Sequence, residues 1–137
     1  MNGDNPRLTR DEFADLLRFR DGLRRFMRWS EQQARAAGLT PAQHQLLLAI
    51  RGHGGDPTIG DIAGHLLLKH HSTVELVDRA ERVGLVQRAI DPDDHRVVRL
   101  RLSPKGERHL AALSAAHLAE LTRLHDALRL PVLEANL

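Results

Sequence analysis

The 137-residue sequence predicts a mainly α-helical domain that carries one small β-hairpin, an α+β arrangement. Three observations predict it. Long stretches near both ends repeat apolar residues every three or four positions. Between them, Thr40 with Gln43 and Thr58 with Asp61 have the spacing of helix capping boxes. Late in the chain, apolar residues alternate with charged ones just after an acidic, proline-containing turn, DPDDHR.

In order along the chain, residues 9–37 place Phe13, Leu16, Leu17, Leu23, Phe26, Met27, Ser30 and Ala34 on one helical stripe, and Gly38 suits a C-terminal stop. Thr40 caps the second helix, Pro41 fits its first turn, Leu46, Leu47, Ala49 and Ile50 form its apolar face, and Gly52, Gly54 and Gly55 end it. Thr58 caps a short third helix with Ile62, Ala63 and Leu66. The fourth, from about His70 to Val83, is expected to hide Val74, Val77, Ala80 and Val83 and to stop at Gly84. Leu85–Ile90 and Val97–Leu102 read as strands joined through DPDDHR, whose acids keep a hairpin tip soluble and discourage edge pairing. Ser103 and Pro104 open a last long helix, in which Leu110, Leu113, His117, Leu121, Leu124 and Leu128 recur at near-heptad spacing until Pro131. Two short helices joined by a tight turn and followed by a hairpin are the winged form of the helix-turn-helix.

Composition narrows the function. Hydrophobic residues make up 42% of the chain but aromatics only 3%, so the core is aliphatic. The absence of cysteine excludes disulfides and thiolate metal sites. No apolar run approaches the roughly 20 residues that span a bilayer. Residues 1–12 lack the apolar stretch of a signal peptide, so a cytoplasmic protein without a membrane partner is expected. Net charge is +2, yet 18 of the 20 basic residues are arginine. Arginine suits phosphate and guanine, and a genome that favours arginine over lysine would leave the same trace. No phosphate loop and no nucleophile with a base at sensible spacing is present, and DPDDHR lacks the loop of a calcium hand, so no enzyme is expected.

The segments LTPAQHQLLLAI (39–50), TIGDIAGHL (58–66), HSTVELVDRAERVGLV (71–86) and DPDDHRVVRLRLSPKG (91–106) resemble the MarR family of bacterial transcriptional regulators. The resemblance covers nearly the whole chain. It implies an N-terminal dimerisation helix in 1–38, a winged helix-turn-helix in 39–103 and C-terminal dimerisation helices in 104–137. It implies a homodimer that reads a palindromic DNA operator as a repressor and releases it when a small effector binds, without a cofactor. The helix at about 70–83 would enter the major groove and the wing, 91–96, the minor groove.

On that resemblance the candidate DNA-binding residues are His70, His71, Ser72, Thr73, Glu75, Arg79, Asp94 and Arg96. Ser72 and Thr73 are short donors near a helix N-terminus. Glu75 could accept from a cytosine N4 or simply face solvent. Asp78 could read DNA or anchor a neighbouring arginine, and Arg79 is better placed for phosphate than Arg82. Arg96 lies where a wing tip meets the negative potential of a minor groove, and Asp94 matches the acid that orients it. Phe26, Trp29 and His44 are candidates for a cleft that takes a small aromatic or anionic effector, or else are core residues. Helical neighbours point about 100° apart, which argues against a metal on His70 and His71 alone. A metal site would need His44, His109 or His117 to meet a carboxylate from another helix. The alternative function is a metal- or ligand-binding dimeric module that kept the fold without reading DNA.

Overall fold

The computed structural model describes residues 7–127. Its elements are α1 (Arg10–Ala36), α2 (Pro41–Gly52), α3 (Ile59–Leu66), α4 (His70–Arg82), β1 (Val86–Ile90), β2 (Val98–Leu102) and α5 (Pro104–Ala127). The predicted order and fold class hold, and strand and helix ends shift by a residue or so. Leu128, Pro131 and the C-terminal tail lie outside the described residues.

Local chemistry explains the boundaries. Thr9–Glu12, Thr40–Gln43 and Thr58–Asp61 each form a reciprocal capping box at the start of α1, α2 and α3. Each such cap contributes about 1 kcal/mol. Helix α4 has Lys69 at its N-cap and no side-chain cap there, so no cap side chain satisfies its first N–H groups. Leu67 ends α3 in the left-handed region, at φ 54°, with 91% of its surface exposed. A non-glycine residue there costs roughly 1–2 kcal/mol, so the turn between α3 and α4 is tight but strained.

One core joins the elements. Leu46, Leu47, Ile62, Val77, Leu85 and Leu100 are essentially inaccessible, and Ala34 and Leu39 from the α1–α2 region join Leu110 and Leu113 from α5 around them. The hairpin is antiparallel, with Val86 opposite Leu102 and Ile90 opposite Val98. The amide of Leu100 donates to the carbonyl of Pro57 at 2.9 Å, which fastens β2 to the loop before α3.

The SPKG stretch joins α4 to α5. The Ser103 hydroxyl donates to the carbonyl of Gly84 at 2.5 Å and accepts from the amide of Gly106 at 3.0 Å. Lys105 Nζ donates to the carbonyl of Val83 at 2.9 Å. A Cβ on Gly106 would sit 2.2 Å from the Leu85 carbonyl oxygen, so only glycine lets α5 approach this closely.

Two expectations about burial are corrected. On α4 the buried face is Thr73, Val77 and Ala80, with Val74 half-buried and Val83 48% exposed. The buried trio has the i, i+4, i+7 spacing of one helical face, and α4 ends before Val83 can turn inward. On α5, where the resemblance implies a dimerisation helix and the stripe would face a partner, Leu110 and Leu113 are instead buried in the chain's own core.

Candidate nucleic-acid interface and effector cleft

Helix α4 presents His70, His71, Glu75, Arg79 and Arg82 to solvent, with Ser72 half-buried at its first turn. Its uncapped N-terminus adds a positive dipole end to that face. Thr73, expected among the outward donors, is fully buried, and its hydroxyl donates to the carbonyl of Lys69 at 2.9 Å. Bonding back to the preceding turn satisfies the hydroxyl inside the core, so a polar residue type gave no warning of its burial. Asp78 is taken up by Arg88 of β1 at 2.5 Å, and Glu81 lies 3.5 Å from the same guanidinium. Asp78 and Glu81 of α4 therefore anchor an arginine of the adjoining strand.

The DPDDHR turn is built by its acids. The Asp91 carboxylate accepts from the amides of Asp93 and Asp94 at 2.7 and 3.1 Å, and its other oxygen accepts from Arg99 Nε at 2.9 Å. Arg99 also donates to the carbonyl of Asp56, and Arg101 pairs with the Asp56 carboxylate at 2.6 Å. The wing is thus clamped at its base. At its tip, Asp94 accepts from Arg96 Nε and a terminal nitrogen at 3.1 and 3.2 Å and from the Arg96 amide at 3.1 Å. The Arg96 side chain remains 91% exposed. A fork held by one carboxylate keeps a fixed direction while its outer face stays free. The arginines hold Asp91 and Asp94 below the ordinary carboxylate range, helped by the backbone N–H donors.

A second feature lies between α1, α2 and α5. A cleft of about 390 Å³ is lined by Phe26, Met27, Ser30, His44, Gln45, Leu48, Ser114, His117, Leu118 and Leu121. His117 organises its floor. Its Nδ1 lies 2.7 Å from the Leu113 carbonyl and its Nε2 2.7 Å from Ser30 Oγ. A carbonyl only accepts, so Nδ1 carries a proton, and in that tautomer Nε2 can accept from the Ser30 hydroxyl. His44 lies against this ring with centroids 4.8 Å apart and is only 7% exposed. Burial, and secondarily His117, hold His44 below the usual imidazole range. Of the three sequence candidates, Phe26 and His44 line the cleft. Trp29 stands behind it, packed on His117 at 4.8 Å, and borders a separate hollow of about 660 Å³ along α1 and α5.

Spacing alone missed Ser30 and His117 as a pair, since 87 residues separate them. The available signal was that each is a polar residue set in an otherwise apolar stripe. Among the described residues, His44 and His117 meet each other rather than a carboxylate, and no cluster of three or more metal-ligating side chains forms.

Two helices joined by a tight turn, a clamped hairpin and two long flanking helices define a winged helix-turn-helix protein. The family model of MarR regulators matches residues 37–97. A solved MarR family protein from Bacillus stearothermophilus is 30% identical, with 86% of this chain and 82% of that one covered and a TM-score of 0.66. The chain belongs to the MarR family and is a transcription regulator. An uncharacterized HTH-type transcriptional regulator of Bacillus subtilis, YsmB, is 48% identical over 54 residues, which span 39% of this chain and 37% of that relative. A mutant of S. aureus MepR solved bound to an oligodeoxyribonucleotide shares the fold at a TM-score of 0.68 and 22% identity, over 94% of this chain and 91% of that one.

Proposed function

We propose that this chain is a homodimeric repressor that binds a palindromic operator, with α4 in the major groove and the wing in the minor groove, and that a small aromatic or anionic effector in the Phe26–His44 cleft releases it. The observation that carries the reading is Arg96. It is an exposed arginine whose direction is set by Asp94, on a wing clamped to the body through Asp91, Arg99 and Asp56. Such an arginine suits the negative potential of a minor groove. His70, His71, Ser72, Glu75 and Arg79 then face the major groove, while Thr73 supports α4 from within.

Dimerisation follows from the long helices. Phe13, Leu16, Leu17 and Met27 of α1 and Leu118 and Leu121 of α5 are 45–67% exposed. Apolar surface of that extent calls for cover, and a second copy would supply it with two-fold symmetry. Met27, Leu118 and Leu121 also rim the cleft, so the dimer would roof it. The reading helices of a dimer must sit about 34 Å apart to meet two half-sites. The Ser103, Lys105 and Gly106 contacts to residues 83–85 make α4 follow α5, so a ligand that shifts α5 changes that spacing. The effector need only favour the displaced state by a few kcal/mol.

The test is selection of bound fragments from genomic DNA, followed by a salt titration of the selected site. A palindromic site whose affinity falls steeply with salt is expected. Binding without a salt slope, or no selected site at all, would instead point to an interaction module that kept the fold.

A further inference from the structure

The end of α2 and the start of α3 bring two imidazoles together nitrogen to nitrogen. His53, at the C-cap of α2, has its Nδ1 2.9 Å from Nε2 of His65 on α3, with the rings edge to face and their centroids 5.1 Å apart. On the far side of the same ring, His53 Nε2 lies 3.5 Å from Asp61 Oδ2. That oxygen also accepts from the Thr58 amide at 2.9 Å, within the capping box that opens α3. Asp61 and His65 are one helical turn apart, so both lie on one side of α3. The Thr58 amide, before any other group, holds Asp61 below the ordinary carboxylate range. Arg99 acts on Asp61 as well, but its guanidinium is engaged by Asp91 and by the carbonyl of Asp56.

Two imidazole nitrogens at this distance share one proton, since one ring must donate and the other accept. The Asp61 carboxylate favours a proton on His53 Nε2, which leaves Nδ1 of the neutral ring as a lone pair aimed at His65. His65 Nε2–H then fills the gap between them. A metal ion can take that proton's place, with His65 carrying its proton on Nδ1 instead, and both lone pairs then converge on the ion. We propose that His53 Nδ1 and His65 Nε2 ligate a divalent transition-metal ion of the zinc class, with Asp61 orienting the His53 ring from behind and water completing the shell. A carboxylate behind a ligating histidine fixes its tautomer and raises its basicity. Tetrahedral zinc sets two ring nitrogens about 3.3 Å apart, so the rings need separate by only about 0.4 Å. A Cβ on Gly52, Gly54 or Gly55 would meet nothing within 4 Å, so the loop around His53 leaves room for the waters. Asp61 addresses the opposite nitrogen, so only two protein donors converge and micromolar affinity is expected. The site is separate from the effector cleft and from the DNA-facing residues. Its two ligands meet only in the folded head, so at ten times the dissociation constant the ion should raise the melting temperature by about 5 °C.

The experiment uses the whole untagged chain and zinc chloride in chelator-free buffer at neutral pH. Calorimetry and thermal melting are read beside the imidazole resonances of nitrogen-15-labelled protein. One zinc per chain should bind in the micromolar range, shift His53 Nδ1 and His65 Nε2 before any other ring nitrogen, and raise the melting temperature. His53→Gln and His65→Gln should each weaken binding at least tenfold, and both rings are exposed, so the fold should survive. Asp61→Asn keeps an oxygen for the Thr58 cap and should weaken zinc by about tenfold, while saturating zinc still shifts the same two nitrogens. Unchanged affinity in Asp61→Asn overturns its part in the site. Binding only at millimolar zinc, unchanged affinity in both histidine variants, or first shifts at His44, His117, His70 or His71 overturns the proposal. The ring shifts are read on the unmodified protein, so a misfolded variant does not rescue it.

Discussion

The winged helix-turn-helix and the two long helices dispose of their apolar and charged residues in opposite ways. In the head, Leu46, Leu47, Ile62, Val77 and Leu100 are wholly buried, and charges pair between different elements: Arg88 with Asp78, Arg99 with Asp91, Arg101 with Asp56. On the long helices Leu17 and Leu118 are 60% and 67% exposed, and the ion pairs Arg18–Asp15, Arg24–Asp21, Arg35–Glu31 and Arg123–Glu120 are all one helical turn apart. Local pairs of that kind decorate a solvated face and fix no tertiary position. The head closes its own core, whereas the arms carry an apolar face left exposed among the described residues.

The sharpest break of this contrast is within the head. Gly106→Val drives a side chain into the Leu85 carbonyl, and Leu46→Ala opens the core; each should cost on the order of 3 kcal/mol or more, read by denaturant unfolding. A comparable substitution on the arms should leave the head folded. Leu17→Glu combined with Leu121→Glu should reduce the sedimenting mass from about twice the 15.4 kDa chain to that of one chain. Helical circular dichroism should change little while operator affinity drops at least tenfold. A double variant that remains a dimer would show that the exposed leucines are not the interface.

Smaller effects sharpen the comparison. Arg96→Ala should weaken binding to all operator sequences alike and lower the salt slope by about one, whereas Glu75→Gln should alter which sequence is preferred. Unchanged affinity of Arg96→Ala at moderate salt would remove the wing from the interface. The smallest effect concerns pH. His44 has its imidazole held below its ordinary value of 6.5 in the fold, so the unfolded chain binds that proton more readily. Its contribution is present above about 6.5 and is lost as pH falls through the lowered value. Melting temperature should therefore decline as pH falls below about 6.5, and His44→Gln should flatten that limb. The lowered carboxyls of Asp91 and Asp94 act in the same direction only below their ordinary 3.8, so the two sources separate along the pH axis.

Element order was legible because capping boxes and glycine stops act over three or four residues. Thr40–Gln43 and Thr58–Asp61 form as their spacing predicts, and Gly38 and Gly84 take positive φ where a helix must end. The Asp94–Arg96 contact was expected from the family resemblance, and it forms within a turn that holds both partners. Thr73 misled because hydroxyl residues are read as outward-facing, while its bond to Lys69 is invisible to any period. Asp78 was open to two readings, a DNA reader or an anchor for a neighbouring arginine, and Asp91 to that of a turn residue; which arginines they hold, Arg88 and Arg99, was not legible because both lie on strands whose register had first to form.

By itself, then, the sequence determined the helices, the hairpin between them and the polar tip of the wing, because each depends on backbone groups satisfied by near neighbours. Tertiary structure alone decided that Leu110 and Leu113 turn into the core while Leu121 stays exposed, since one near-heptad stripe on α5 passes from the head to the arm. It alone placed His117 between Ser30 and His44, on three different helices. Such a cleft depends on the distances at which helices pack, and those are set by the volumes of many side chains together.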